Sequence, residues 1–189
     1  MLLSFFYIAY LFKAFNLKQR GIAVNLLGKG EKPKSVLIIE HFLKVVTLIG
    51  AFVQFGSVVL PSLLWPLTIT VQIRIVGIVL MLFGNLFFNI AMLTMRDNWR
   101  AGFNKNQDTN LITHGIYKIS RNPAFVGFDL IYIGCTITFP NIINILVTVA
   151  AVLLFHFQIL SEEEYCAAAF GQDYITYKTK TMRYFGVKR

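Results

Sequence analysis

Two polar clusters interrupt an otherwise apolar chain. The first occupies residues 111–127, where His114, Tyr117, Arg121, Asn122 and Pro123 stand between long hydrophobic segments, with Trp99 and Arg100 shortly upstream. The second, Ser161 with Glu162, Glu163 and Glu164, follows the last of those segments directly. Hydrocarbon cannot hydrogen-bond such groups, so their position at segment ends implies a shared site at a membrane surface. Asn122 followed by Pro123 suits an N-cap and first-turn pair, and a helix start there offers free N–H groups and partial positive charge to a carboxylate. Simple capping is the competing reading of Asn122. A glutamate of the second cluster could accept from a ribose diol or pair with a ligand ammonium, although three successive helical residues point different ways and at most two face one pocket. Gln158 precedes Glu162 by four positions and shares its face. Asp129, about two turns into its segment, reads equally as a functional group or as a snorkelling or paired one. His156 reads as an uncharged, packed histidine, and Asn85 with Asn89 as hydrogen-bonding glue between helices.

Composition sets the surroundings of these residues. Of 189 residues, 56% are hydrophobic and 14% charged, more apolar side chain than a soluble domain of this size can hide. The net charge of +9 does not point to nucleic acid, because its lysines and arginines fall in blocks between apolar runs, as membrane orientation demands. Cys135 and Cys166 have no CxxC or Cys/His companions, so neither a metal site nor a disulfide framework is indicated. The apolar N-terminus carries Lys13 within it and lacks a cleavage pattern, which reads as a retained anchor.

The elements that must position the polar groups are helices. Five segments approach the ~20 apolar residues that a crossing needs: about 1–17, 42–64, 73–95, 123–139 and 141–160. Pro140 and Asn141 break a continuous apolar run, and a tight helical hairpin accommodates them. The expected fold is therefore all-α, an integral membrane bundle of about five transmembrane helices. Its last two form the hairpin, and a cytoplasmic C-terminal helical segment caps a pocket. It is one domain over 1–189, with helices one to three in 1–97 and the site-bearing half in 98–189. Three basic blocks, starting at Lys13, Arg96 and Lys178, hold 16 of 18 lysines and arginines. Five crossings put all three on one face, which the positive-inside rule makes cytoplasmic, with the N-terminus outside. Gly77 with Gly84, and Gly127 with Gly134, predict a close seam between helices three and four.

The spacing of several pieces resembles the isoprenylcysteine carboxyl methyltransferase family, in particular its small bacterial members, and more distantly the membrane phospholipid N-methyltransferases. The pieces are Asn98, Trp99, Arg100 and Gly102; then Leu111 to Tyr117; Ser120 to Phe125 with Gly127; Glu162 to Glu164; and Phe170 to Tyr177, running on to Arg183 and Tyr184. The resemblance implies a methyltransferase of a bacterial plasma membrane that uses S-adenosylmethionine in a cytoplasmic-side pocket, with a lipophilic or lipid acceptor arriving from the bilayer. By position it implies cofactor contacts at Thr109, Asn110, Leu111, Ile112, Tyr117, Asn122, Pro123, Ala124, Phe125 and Glu162. Asn122 stands where the eukaryotic pattern has His, and Phe125 where it has Tyr; an amide still donates and accepts, and a phenyl face still meets a sulfonium. Gln158 stands where the prenylcysteine enzymes place an arginine for the substrate carboxylate. An uncharged amide cannot form the bidentate ion pair, which leaves amine, thiol, hydroxyl and other acceptors open.

Methyl transfer from a sulfonium is an in-line displacement that gains mainly from positioning in a dry pocket. If the acceptor must lose a proton, Glu163, Asp129 or His114 is the candidate base. Two other classes compete: a sterol-type membrane reductase that binds NADPH, and a non-catalytic transporter or assembly factor. Transport would scatter polar residues through the midplane of several helices, whereas here they gather near one face.

Overall fold

A computed structural model describes residues 1–64, 66–103 and 110–187. Five α-helices follow in order: α1 (Leu2–Gln19), α2 (Lys34–Val59), α3 (Val71–Met95), α4 (Pro123–Thr138) and α5 (Ile142–Lys180). Short 3-10 turns occupy Pro61–Leu64, Arg96–Asn98 and Gly115–Lys118. Among the described residues there are no strands, only isolated bridges such as Asn25 to Ala101. A helix satisfies its own backbone, which is what an apolar solvent requires of these sequences.

Among the described residues three helices, α2, α3 and α5, are long and apolar enough to cross a membrane, and α4 is a shorter apolar helix. The chain thus reads as an integral membrane protein. Three expected boundaries move. The second helix begins at Lys34 rather than near 42, because Val36 to Ile39 add an apolar turn ahead of Glu40 and His41, and it ends at Val59 rather than near 64, ahead of Pro61. The fifth does not stop near 160; it runs on through the glutamates to Lys180, interrupted at Gly171, whose φ of 53° and ψ of −127° a side chain would oppose. That kink turns the last turns of the helix back over the bundle end.

The glycine seam forms as the spacing predicts. A Cβ on Gly84 would lie 2.8 Å from the Gly127 carbonyl oxygen, and one on Gly134 2.6 Å from that of Gly77, so bare backbones touch where α3 crosses α4. Asn85 and Asn89 depart from expectation. Each amide bonds within its own helix, Asn85 to the Met81 carbonyl at 2.9 Å and Asn89 to that of Asn85 at 2.8 Å.

One end of the bundle is closed by the α4–α5 turn, where Asn141 caps α5 by accepting from the Asn144 amide at 2.8 Å and donates to Ser57 Oγ at 3.0 Å. At the other end the Arg20–Asp97 ion pair joins α1 to the end of α3. There the Leu26 amide also bonds the Ala101 carbonyl at 2.9 Å. Arg20, Arg121 and Arg183, one from each basic stretch, make their ion pairs toward this second end. Inside, Phe88 is the hub of an aromatic core, with the rings of Phe6, Trp99 and Phe128 centred 4.9, 5.4 and 5.1 Å away. Trp99 is held in place by that cluster.

Candidate functional site

A cavity of about 660 Å³ opens at the end of the bundle where the basic stretches meet. Its walls come from distant parts of the chain: Tyr7 and Tyr10 of α1, Leu43 and Leu48 of α2, the segment from Asn98 to Phe103, the start of α4, and α5 from Phe155 to Tyr177. Most of that wall is apolar. Phe125, Phe128, Tyr132 and Phe155 form one aromatic side, with Phe128 stacked on Phe155 at 5.1 Å. Such a surface excludes water and offers π-faces to a cation.

The expected residues divide three ways. Asn110, Leu111, Ile112, Tyr117, Asn122, Ala124, Phe125, Gln158, Glu162 and Glu163 line this one cavity. Pro123 is buried at the first turn of α4 without lining it, and Thr109 lies outside the described residues. His114 and Asp129 are elsewhere. His114 is exposed and borders a separate hollow with Thr94 and Arg96. Asp129, within α4, is half-buried. Neither lines the cavity in which the other expected residues gather.

Asn122 occupies the N-cap position of α4 but makes no capping bond. Its amide instead donates to Glu163 Oε1 at 3.0 Å and to the Arg183 carbonyl at 3.2 Å. Arg121 grips the same carboxylate through Nε and Nη2, at 3.1 and 2.8 Å, and donates through Nη1 to the Thr181 carbonyl at 2.5 Å. Arg183 adds bonds of 3.2 and 3.1 Å to Oε2. Two guanidinium groups and an amide therefore occupy both oxygens of Glu163. That stabilises its charged form and makes it a poor proton acceptor; it ties α4, α5 and the tail together instead. The bond to Glu163 in turn holds the Arg183 guanidinium above its ordinary range.

The kinked end of α5 completes the wall. Tyr174 and Tyr177 line the cavity, and the Tyr177 hydroxyl donates to the Tyr117 carbonyl at 2.6 Å. Burial raises the Tyr117 phenol far above its usual range, so it stays an O–H.

A second polar group, in contact with Gln158, stands behind the cavity wall on a side the sequence did not suggest. Glu40 of α2 is fully buried and paired with Lys32 at 2.7 Å, and its Oε2 accepts from the Gly28 amide at 2.5 Å. Gln158 donates to Glu40 Oε1 at 3.3 Å and to Glu162 Oε1 at 3.0 Å. Two buried atoms of the wall, Trp99 Nε1 and Gln158 Oε1, have no hydrogen-bond partner among the described residues. A donor and an acceptor left open in one cavity are expected where a polar ligand completes the set.

The family profile described as phospholipid methyltransferase matches residues 71–173, more than half of the chain. The chain belongs to this family. It is 29% identical to the protein-S-isoprenylcysteine O-methyltransferase of Xenopus laevis over 111 residues, covering 57% of the chain and 38% of that protein. The enzyme of the same name from Rattus norvegicus is 27% identical over 157 residues, covering 78% of the chain and 54% of that protein. That of Dictyostelium discoideum is 31% identical over 106 residues, covering 54% and 45%. The chain thus aligns with about half, or less, of the length of these relatives. The family match begins at α3, so the Lys32–Glu40 pair stands outside it.

Proposed function

We propose that this family member is a membrane-embedded methyltransferase that binds S-adenosylmethionine in the cavity and methylates a lipophilic acceptor at the cytoplasmic face. The observation that carries the reading is the convergence of Asn122 and Glu162, some 40 positions apart in the chain, on one aromatic-walled cavity with an unpartnered donor and acceptor. The names of the aligned relatives support methyl transfer, and the grouping of the basic stretches at the cavity end supports its cytoplasmic placement.

The donor set suits the cofactor. Glu162 supplies a carboxylate for hydroxyl or ammonium groups, Trp99 an indole N–H, and Tyr117, Phe125 and Tyr177 flat surfaces for a purine or a sulfonium. When bound, the cofactor supplies a methyl group on positively charged sulfur. That methyl would be available to an acceptor lone pair by displacement, the carbon–sulfur electrons remaining on sulfur. The protein's part is to hold the acceptor in line and to exclude water, with no covalent nucleophile of its own.

Incubation of the purified chain with methyl-labelled S-adenosylmethionine and a membrane lipid extract tests the proposal; label should appear in an extractable lipophilic product. Binding of NADPH but not of S-adenosylhomocysteine would replace this reading with a reductase.

A further inference from the structure

Gln158 is the residue of the cavity whose polarity the surrounding structure dictates. Its amide nitrogen faces two carboxylates, Glu40 at 3.3 Å and Glu162 at 3.0 Å. Glu40 is an acceptor only: it is fully buried, ion-paired to Lys32 through both oxygens at 2.7 and 2.8 Å, and takes the Gly28 amide as well. Turning the amide over would set its carbonyl oxygen against the ion-paired carboxylate of Glu40, which is repulsive at a fully buried position. Nε2 is thereby committed inward. Oε1 is left without a partner among the described residues, on a side chain that lines the cavity.

We infer that the Lys32–Glu40 pair fixes Gln158 so that the cavity is offered a bare carbonyl oxygen, making the site specific for a methyl acceptor that donates a hydrogen bond, through N–H or O–H, and selective against a carboxylate. This rests on the methyltransferase reading and names the acceptor chemistry within it. A carboxylate placed against Oε1 would meet lone pairs with lone pairs and leave both unsatisfied, whereas an amine or hydroxyl satisfies the orphan acceptor. Discrimination of this kind, set by a buried polar group that only one partner can satisfy, is strong because rejection costs more than apolar mismatch does. Glu40 and Lys32 act through Gln158 and are positioning residues. The loop that carries Lys32 is held by the Leu26 to Ala101 bond, so the α1–α2 connection helps set the specificity of a site built mainly by the C-terminal half.

The test is equilibrium dialysis of the full chain in detergent against radiolabelled decylamine, decanol and decanoate, with binding to empty micelles subtracted. The wild-type chain should hold decylamine or decanol at least about tenfold more tightly than decanoate; the two favoured probes separate nitrogen from oxygen acceptors. Equal or tighter binding of decanoate overturns the inference. Removing Glu40 alone would strand a buried lysine, so the variant to use is Lys32→Met with Glu40→Gln, which removes both charges and lets Gln158 turn over. In that double variant the preference should fall to about twofold, and its full retention also overturns the positioning role. Wild-type discrimination is informative even where the variant fails to fold. S-adenosylhomocysteine binding, measured on the same preparations, separates the two claims: its absence defeats the methyltransferase reading, while its presence with a preference for decanoate defeats only the acceptor assignment.

Discussion

At the scale of single residues, the site divides into groups that touch the cavity contents and groups that hold the walls. Glu162 and Asn122 line the cavity, so Glu162→Ala and Asn122→Ala should each weaken S-adenosylhomocysteine binding about tenfold, a lost hydrogen bond to a charged or polar group being worth ~1–3 kcal/mol. Calorimetric titration with unchanged affinity in both variants would remove them from the site. Glu163 predicts a different phenotype. Only 6% exposed and gripped by Arg121, it holds the tail to the bundle, so Glu163→Gln should leave a buried guanidinium short of its counter-charge. Loss of one partner from a buried pair costs about 3–5 kcal/mol, so thermal unfolding should shift down clearly, more than in Asn122→Ala. Much of this was legible beforehand: the sequence marks Asn122 and Glu162 because polar groups at the ends of apolar runs need a reason to be there. It could not choose between Glu162 and Glu163 for the cavity's chemistry, because that depends on Arg121 and Arg183 arriving from 42 residues before and 20 after. Nor could it find Glu40, whose contact with Gln158 spans 118 positions and which looks, in one dimension, like an ordinary charge near a helix start.

At the scale of elements, the α3–α4 seam is the part that local spacing predicts best, since glycines one helical repeat apart mean the same thing in sequence and in space. The seam matters to the site because α4 begins at Pro123, directly after Asn122, and any shift of α4 along α3 moves that residue relative to α5. Gly84→Ala would drive a methyl to 2.8 Å from backbone and from Ile131, atoms that cannot yield without moving the helix. A cost of about 1–3 kcal/mol follows from overpacking, together with weaker S-adenosylhomocysteine binding. Gly56→Ala is the matched control, because there the new methyl would meet only Leu64 Cδ1 at 3.4 Å, an ordinary contact. Equal thermal shifts in the two variants would show that the seam is not what holds α4 in place. The long final helix was harder to foresee: its apolar portion ends near 160, but the backbone continues because the following glutamates and alanines are good helix formers, and only Gly171 bends it.

At the scale of the molecule, a lipophilic acceptor needs a way from the bilayer into the cavity, and the packing of the first two helices provides one. α1 packs on α3 while α2 packs on α5, and between α1 and α2 the cavity wall reaches the outer surface. Leu11 and Leu48, one from each helix, line the cavity and are yet 62% exposed, as residues on the rim of a lateral opening must be. Further along, the Tyr7 hydroxyl donates to Gln54 at 3.0 Å and bridges the two helices, so the opening is bounded on that side. Because both rim residues are already exposed, enlarging them disturbs no core packing. Leu11→Trp with Leu48→Trp should therefore leave thermal stability and S-adenosylhomocysteine binding unchanged while slowing methylation of long-chain acceptors severalfold, and should spare a short acceptor small enough to enter from the aqueous end. Equal slowing of long and short acceptors would place the acceptor's path elsewhere, whereas loss of S-adenosylhomocysteine binding would mean that the rim belongs to the cofactor's part of the cavity.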